Sequence, residues 1–201
     1  MLAISNTDRT THMLGQERES SSDMGAYRDE LTRAMTYLAS LPNSVFIGQA
    51  VEVPGTAMTG TLEYVDKSRL MEFPVEEDFQ LGVSVGLAMQ GLLPVSIFPR
   101  WNFLLLATNQ IVNHLDKLSE LLGETPPKVI IRTSIGSERP LHPGPQHTGD
   151  FTEAFRLLAP QIEILRLDEP EDVYPAYQCA AERTDGVSSL LVEWGDYYGE
   201  K

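Results

Sequence analysis

Six short apolar runs alternate with helical patterns along most of the chain, and this alternation constrains the fold more than any other feature. The runs are continuously apolar, which is typical of strands that are buried on both faces. They read SVFIG, RLMEF, LPVSIF, PKVIIRTS, IEILRL and SSLLVEW. Buried strands separated by helices predict a parallel sheet covered on both sides. We expect a three-layer, doubly wound α/β domain with a mostly parallel sheet of about six strands.

The length of the chain and its N-terminal composition predict one domain that follows a polar tail. The chain has 201 residues, enough for one ordinary domain. Residues 1–23 are polar and lack periodicity, so we predict a flexible tail there and the α/β domain over 24–201. No apolar run approaches the roughly 20 residues of a membrane span, and the start lacks a secretory apolar segment. These features predict a cytoplasmic protein without a membrane partner.

Charge and cysteine content exclude further classes. The chain carries 29 acidic against 15 basic residues, a net charge of −14. Nucleic acid and anionic membranes attract an excess of Lys and Arg, so we expect neither as a partner. The single cysteine, Cys179, argues against an internal disulfide and against a cysteine-based zinc site.

Three consecutive acids, Glu76, Glu77 and Asp78, stand between a buried strand and an apolar helix. Burying a carboxylate is costly unless it is paired or protonated. The simplest explanation is that all three lie in solvent and complement the positive N-terminus of the helix, and we favour it for Glu76 and Asp78. Glu77 differs, because Leu81 and Ser84 follow it at helical spacing on the buried side. This acid is the one that can point inward.

The acidic triplet shares one edge of the predicted sheet with two long loops. Ligands of parallel sheets bind beyond the carboxyl ends of the strands. The triplet, the loop after Gly48 and the loop before His147 each follow a predicted strand directly. Their convergence is the first indication of a site.

The run FPVEEDFQLGVSVGLAMQGLLPVSIF resembles the signature of the pyrimidine-binding domain of thiamine diphosphate enzymes in the transketolase group. The β subunits of 2-oxoacid dehydrogenases are the most similar branch, and the resemblance extends over about residues 27–198. The family pattern is Pro, an aliphatic residue, any residue and then the catalytic Glu, followed by a glycine-containing apolar helix. That pattern places Pro74 and Val75 before the catalytic position, which falls on Glu77, and Gly82 and Gly86 in the helix.

Two further motifs follow in the family's order. In FPRWNFLLLATNQIVNHLDK, Phe103 matches the aromatic residue that lies against the cofactor's aminopyrimidine ring. In RTSIGSERPLHPGPQHTGDFTEAF, His147 matches an active-site histidine, and either His147 or His142 can meet the substrate. Arg132 is a candidate for attracting an anionic substrate, with a buried strand-end residue as the equal alternative. The resemblance thus implies Glu77 and His147 as catalytic and Val75 and Phe103 as cofactor-binding.

The expected chemistry explains why a carboxylic acid is needed at residue 77. Thiamine diphosphate reacts through a weak carbon acid, whose proton is removed by the cofactor's own amino group in its imino form. A carboxyl group hydrogen-bonded to the opposite pyrimidine nitrogen favours that form and relays the proton. Glu77, in an apolar neighbourhood at the sheet edge, suits this role.

The other half of the cofactor site is missing from the sequence. In this superfamily a second domain with a Gly-Asp-Gly motif holds the diphosphate and Mg²⁺, and the sequence contains no Gly-Asp-Gly. The resemblance therefore implies a partner subunit that carries this motif and binds the metal, in a heterotetramer, with no metal ligand on this chain. One departure from the family is that Gln49 and Ala50 stand where β subunits often have two acids.

Three functions remain open from the sequence. The leading hypothesis is the pyrimidine-binding subunit of a split thiamine diphosphate enzyme that acts on a 2-oxo acid or a ketose, by decarboxylation, carboligation or ketol transfer. The alternative is a non-catalytic assembly or regulatory subunit derived from the same domain. A doubly wound domain that binds another small ligand is the third.

Overall fold

One six-stranded sheet organises the chain, and every pair of neighbouring strands in it is parallel. The computed structural model describes residues 21–123, 125–138 and 142–198. Within them the order across the sheet is β2-β1-β3-β4-β6-β5. The strands are β1 (Ser44–Gly48), β2 (Leu70–Glu72), β3 (Leu93–Ile97), β4 (Ile130–Ile135), β5 (Glu163–Arg166) and β6 (Ser189–Trp194). The predicted parallel sheet is confirmed.

Helices cover both faces of the sheet. They are α1 (Ser21–Ser40), α2 (Glu77–Met89), α3 (Trp101–Leu104), α4 (Leu118–Leu122), α5 (Thr152–Leu158) and α6 (Pro170–Glu182). The predicted tail, residues 1–23, lies outside the described residues except for the three that begin α1. No helix in the described ranges is both long enough and apolar enough to cross a membrane.

Two hydrophobic cores lie on opposite sides of the sheet, because successive side chains of each strand alternate between its faces. In β4, Ile130 packs into the core that contains α1 and α6, while Ile131 packs into the core with α2, α3 and α5. In β6, Leu191 and Leu190 divide in the same way. Strands buried on both faces explain why the apolar runs in the sequence are continuous.

The segment 101–123 is not one regular helix but a series of helical turns of different pitch. A 3₁₀ turn at Leu105–Ala107 and a π-helical turn at Gln110–Leu115 separate α3 from α4. The wide turn ends at Asp116, whose side chain is buried and accepts a hydrogen bond from the backbone N–H of Gln161 at 2.7 Å. This contact joins residues that are 45 positions apart, so periodicity alone does not reveal it.

Candidate active site

A cleft of about 410 Å³ opens at the carboxyl edge of the sheet. It lies where the chain order reverses, since β1 is flanked by β2 on one side and by β3 on the other. Such a reversal is the usual ligand-binding position of a doubly wound sheet. Five strands each place a following residue in its wall: Gln49, Val75, Arg100, Ser137 and Tyr198.

Glu77 begins α2 immediately beyond the cleft wall. Its side chain is buried, with the residue only 7% exposed, whereas Glu76 is exposed. The helix is fixed to the sheet one turn later, where Gln80 donates hydrogen bonds to the carbonyl oxygens of Ile47 at 3.3 Å and Ile97 at 3.0 Å. Because residues three and four apart share a helix face, this anchor turns Glu77 inward as the spacing predicts.

The Glu77 carboxylate has no hydrogen-bond partner among the residues that the structure describes. Its neighbour Asp78 differs, since its carboxylate accepts a hydrogen bond from the Gln110 amide at 3.3 Å. Glu77 is thus a largely buried acid whose carboxylate, unlike that of Asp78, makes no hydrogen bond within the described residues.

Phe103 and His147 meet beside the cleft. Phe103 lines it, and the two ring centroids lie 5.5 Å apart with the planes inclined by 53°. The Nδ1 atom of His147 is buried and finds no hydrogen-bond partner in the described part of the chain. The pair thus places an aromatic ring face and an imidazole side by side next to the cleft.

A loop after β1 forms the opposite wall, and Glu72 holds it in place. One Glu72 carboxylate oxygen accepts the N–H of Ala50 at 2.7 Å, and the other accepts those of Val51 at 3.0 Å, Glu52 at 2.9 Å and Val53 at 3.4 Å. Partial desolvation raises the pKa of Glu72, but these four N–H donors outweigh it and hold the pKa below its usual value. The carboxylate therefore stays charged and keeps the loop folded over the site.

His142 lies farther out. It is exposed, faces Glu138 at 3.5 Å, and its Nδ1 atom accepts the N–H of Gly144 at 3.0 Å. The structure therefore brings His147, and not His142, together with Phe103.

Arg132 is not a substrate-binding residue in this structure, and that candidate role is corrected. Its side chain is fully buried in β4 and forms an ion pair with Glu193, with Nε 2.7 Å from one oxygen and Nη2 3.0 Å from the other. Nε also donates to the Tyr177 hydroxyl at 3.1 Å. Arg132 is instead the buried strand residue that the sequence analysis names as the alternative. Its guanidinium can be buried because these partners compensate its charge.

Sequence reasoning missed Arg100, Ser137 and Tyr198 as cleft residues. Each follows a strand of the predicted sheet within a few residues, so the carboxyl-edge rule contains a signal for all of them. Arg100 also stands three positions before Phe103 in the quoted motif, and its Nη1 atom donates to the His147 carbonyl at 3.3 Å.

The parallel α/β domain brings Glu77 and the Phe103–His147 pair to the same edge of the sheet, near the chain reversal where doubly wound sheets usually bind ligands. The chain belongs to the family described as transketolase, pyrimidine binding domain, which it matches over residues 24–197. The family resemblance noted in the sequence is thereby confirmed.

Similar curated proteins are β subunits of 2-oxoacid dehydrogenases. The mitochondrial pyruvate dehydrogenase E1 component subunit beta of Saccharomyces cerevisiae is 28% identical over 188 residues, covering 91% of this chain and 50% of the relative. The 2-oxoisovalerate dehydrogenase subunit beta of Bacillus subtilis is 25% identical over 167 residues, covering 81% and 50%. The chain spans about half the length of these relatives.

Similar solved structures are transketolases. A split gene transketolase, described as an inactive beta4 tetramer, superimposes with a TM-score of 0.62 at 14% identity, covering 84% of this chain and 51% of that one. The transketolase of Campylobacter jejuni gives 0.61 at 16% identity, covering 83% and 25%. At these identities the likeness establishes the fold.

Proposed function

We propose that this chain is the pyrimidine-binding part of a split thiamine diphosphate-dependent enzyme that cleaves or forms a C–C bond next to a carbonyl group. The observation that carries the proposal is Glu77 at the ligand-binding edge, a residue only 7% exposed whose carboxylate has no hydrogen-bond partner in the described part of the chain. The family and its dehydrogenase β subunits support it.

The residues at the edge fit an aminopyrimidine ring. Val75 and Phe103 offer apolar contacts in the cleft, and Glu77 lies two residues beyond Val75 without itself lining the cleft. A carboxyl group can share a proton with a ring nitrogen, and Phe103 can lie against the ring. When bound, thiamine diphosphate supplies the nucleophilic carbon of the reaction.

In this proposal Glu77 holds or relays the proton at the pyrimidine nitrogen, and His147 transfers a proton to or from the substrate. General acid–base catalysis favours groups shielded from bulk water. Val75 and Phe79 near Glu77 are 60% and 59% exposed in the single chain. The apolar surroundings expected for Glu77 therefore require a partner surface that covers both side chains.

A partner subunit also provides the diphosphate and Mg²⁺ half of the site. The sequence has no Gly-Asp-Gly motif, and no three His, Cys, Asp or Glu side chains of the described ranges come together in a way that would hold a metal ion. Met89 on α2 and Leu106 in the 3₁₀ turn that packs against α2 are also exposed, and a Cβ at Gly86 would meet nothing within 4 Å. We place the partner on this face in a heterotetramer, in line with the description of the split gene transketolase β chains alone as inactive.

The reaction subtype stays open among 2-oxo acid decarboxylation, carboligation and ketol transfer. The relatives' names include pyruvate dehydrogenase, 2-oxoisovalerate dehydrogenase and transketolase, so they do not select one. The cytoplasmic location likewise stays a prediction.

The test is Glu77→Gln, assayed with the Gly-Asp-Gly-bearing partner, thiamine diphosphate and Mg²⁺. The amide keeps the size and hydrogen bonding of the carboxyl group but cannot relay the proton. We expect activity to fall about 10²- to 10⁴-fold while folding and assembly persist.

Glu76→Gln is the matched control, because Glu76 is exposed and adjacent in sequence. We expect it to retain nearly full activity. If Glu76→Gln abolishes activity while Glu77→Gln does not, the assigned position is wrong by one residue. If neither variant changes the rate, the thiamine mechanism fails for this chain.

A further inference from the structure

Arg100 places a positive charge in the cleft that the proposed chemistry has not used. It lies between β3 and α3, half-buried, with its side chain in the cleft wall three residues before Phe103. Its Nη1 atom donates to the carbonyl oxygens of Ser137 at 3.4 Å and His147 at 3.3 Å. These two long bonds to neutral acceptors aim the guanidinium at the same corner as the Phe103–His147 pair.

The remaining donors of Arg100 have no partner among the residues that the structure describes. Among the described residues no carboxylate forms a salt bridge with it, and its Nε and Nη2 atoms make no hydrogen bond there. Partial burial lowers the pKa of Arg100, and the charge of Asp196 opposes this, so the guanidinium keeps its charge. A partly desolvated cation with open donors favours an anionic ligand.

We propose that Arg100 binds the anionic group of the substrate, a carboxylate or a phosphate, and so selects charged over neutral carbonyl compounds. This inference rests on the proposed function, because it takes the cleft as the place where substrate meets the cofactor. The planar fork of a guanidinium matches the paired oxygens of either anion. The His147 ring lies 5.5 Å from the Phe103 ring, centroid to centroid, and the His147 carbonyl accepts the Arg100 bond, so the three residues share one corner of the site.

The experiment has two parts, both on the full chain assembled with its Gly-Asp-Gly-bearing partner and Mg²⁺. Quenching of tryptophan fluorescence by thiamine diphosphate first tests cofactor binding, and so the proposed function, on the wild-type complex. NMR titrations then give the dissociation constants of pyruvate, glycolaldehyde phosphate and hydroxyacetone, which carry a carboxylate, a phosphate and no charge. Wild type, Arg100→Gln, Arg100→Lys and the control Arg33→Gln are compared. Arg33 is an exposed arginine on α1, paired with Glu30.

We expect wild type to prefer one of the two anions over hydroxyacetone, and Arg100→Gln to reduce that preference about 10- to 100-fold. Arg100→Lys should restore part of the preference, and Arg33→Gln should leave it unchanged. A preference for pyruvate indicates a 2-oxo acid as the substrate, and a preference for glycolaldehyde phosphate indicates a sugar phosphate. Equal affinity for all three probes in wild type, or an unchanged preference in Arg100→Gln, overturns the inference. Failure of thiamine diphosphate to bind the assembled wild-type complex in the presence of Mg²⁺ overturns the proposed function instead.

Discussion

Two arginines on neighbouring strands show how differently the core and the edge of this domain treat a charge. Arg132, inside β4, is fully buried and paired with Glu193, Tyr177 and Thr61. Arg100, just after β3, makes two long bonds to carbonyl oxygens, and no others within the described ranges. The core can hold a charge only by fixing partners around it, whereas the edge can leave donors open for a ligand. For these two arginines, a charge compensated by a carboxylate belongs to the core, and donors without a partner in the described residues belong to the site.

The buried side of the comparison is a network centred on Glu193. Its carboxylate accepts hydrogen bonds from Tyr177 and, at 2.5 Å, from Tyr198, besides the ion pair with Arg132. Burial and the adjacent Glu193 charge raise the pKa of both tyrosines, so their hydroxyl groups remain donors. Tyr198 also lines the cleft, which means that the network supports the floor of the site.

Breaking this network should have the largest effect on stability. Arg132→Met leaves the Glu193 charge buried with only hydroxyl donors, because both carboxylate oxygens lose the guanidinium. We expect the free energy of unfolding at pH 7 to fall by about 3–5 kcal/mol. Urea denaturation followed by circular dichroism measures the change.

The double variant Arg132→Met with Glu193→Leu is the control for this prediction. It removes both charges, so we expect it to recover a large part of the lost stability. If Arg132→Met alone loses less than about 1 kcal/mol, the buried Glu193 charge is compensated by other groups. The claim that the core holds a charge only with fixed partners would then be wrong for this residue.

Glu72 is intermediate between the buried Arg132 and the edge residue Arg100. Its side chain is exposed, but its carboxylate accepts hydrogen bonds from the four backbone N–H groups of the loop at 50–53. Glu72→Gln removes the charge and replaces one acceptor oxygen with a donor that faces backbone N–H groups. We expect a loss of about 1 kcal/mol, reduced by solvent screening, confined to this loop. Hydrogen exchange at the amides of Ala50 and Val51 should report it.

The same carboxylate predicts a pH dependence. The pKa of Glu72 is lower in the folded chain than its ordinary value of 4.5, so its contribution is complete above that value. It is lost as the pH falls below 4.5 through the folded-state pKa. Protection factors for the loop amides should therefore fall with acid in wild type and show no such step in Glu72→Gln. An identical acid step in both would assign the transition to another group.

The sequence predicts the sheet and Glu77 for the same reason, which is that both depend on local periodicity. Continuous apolar runs identify strands buried on both faces, and the i, i+4 and i+7 spacing of Glu77, Leu81 and Ser84 identifies the acid that turns inward. Neither inference needs to know which distant residues come together.

What the sequence did not predict depends on contacts between distant residues. Arg132 meets Glu193 across 61 positions, so its choice between substrate and core could not be made from its neighbours. Arg100 is directed by carbonyl groups 37 and 47 positions away. The loop held by Glu72 also uses a left-handed backbone at Ala50, with φ of 54°, which is unusual for a residue other than glycine.

The smallest effect on stability is expected at the unpaired edge, and it gives the sharpest test of the comparison. His147→Gln removes a ring whose Nδ1 atom has no hydrogen-bond partner within the described residues and keeps a side chain of similar reach. We expect the free energy of unfolding to change by no more than about 0.5 kcal/mol, because no paired group is left without its partner. The same urea titration used for Arg132→Met measures it, so the two variants are compared directly. A loss as large as that of Arg132→Met would mean that His147 stabilises the loop that carries it, and the link between unpaired groups and the site would then fail at this residue.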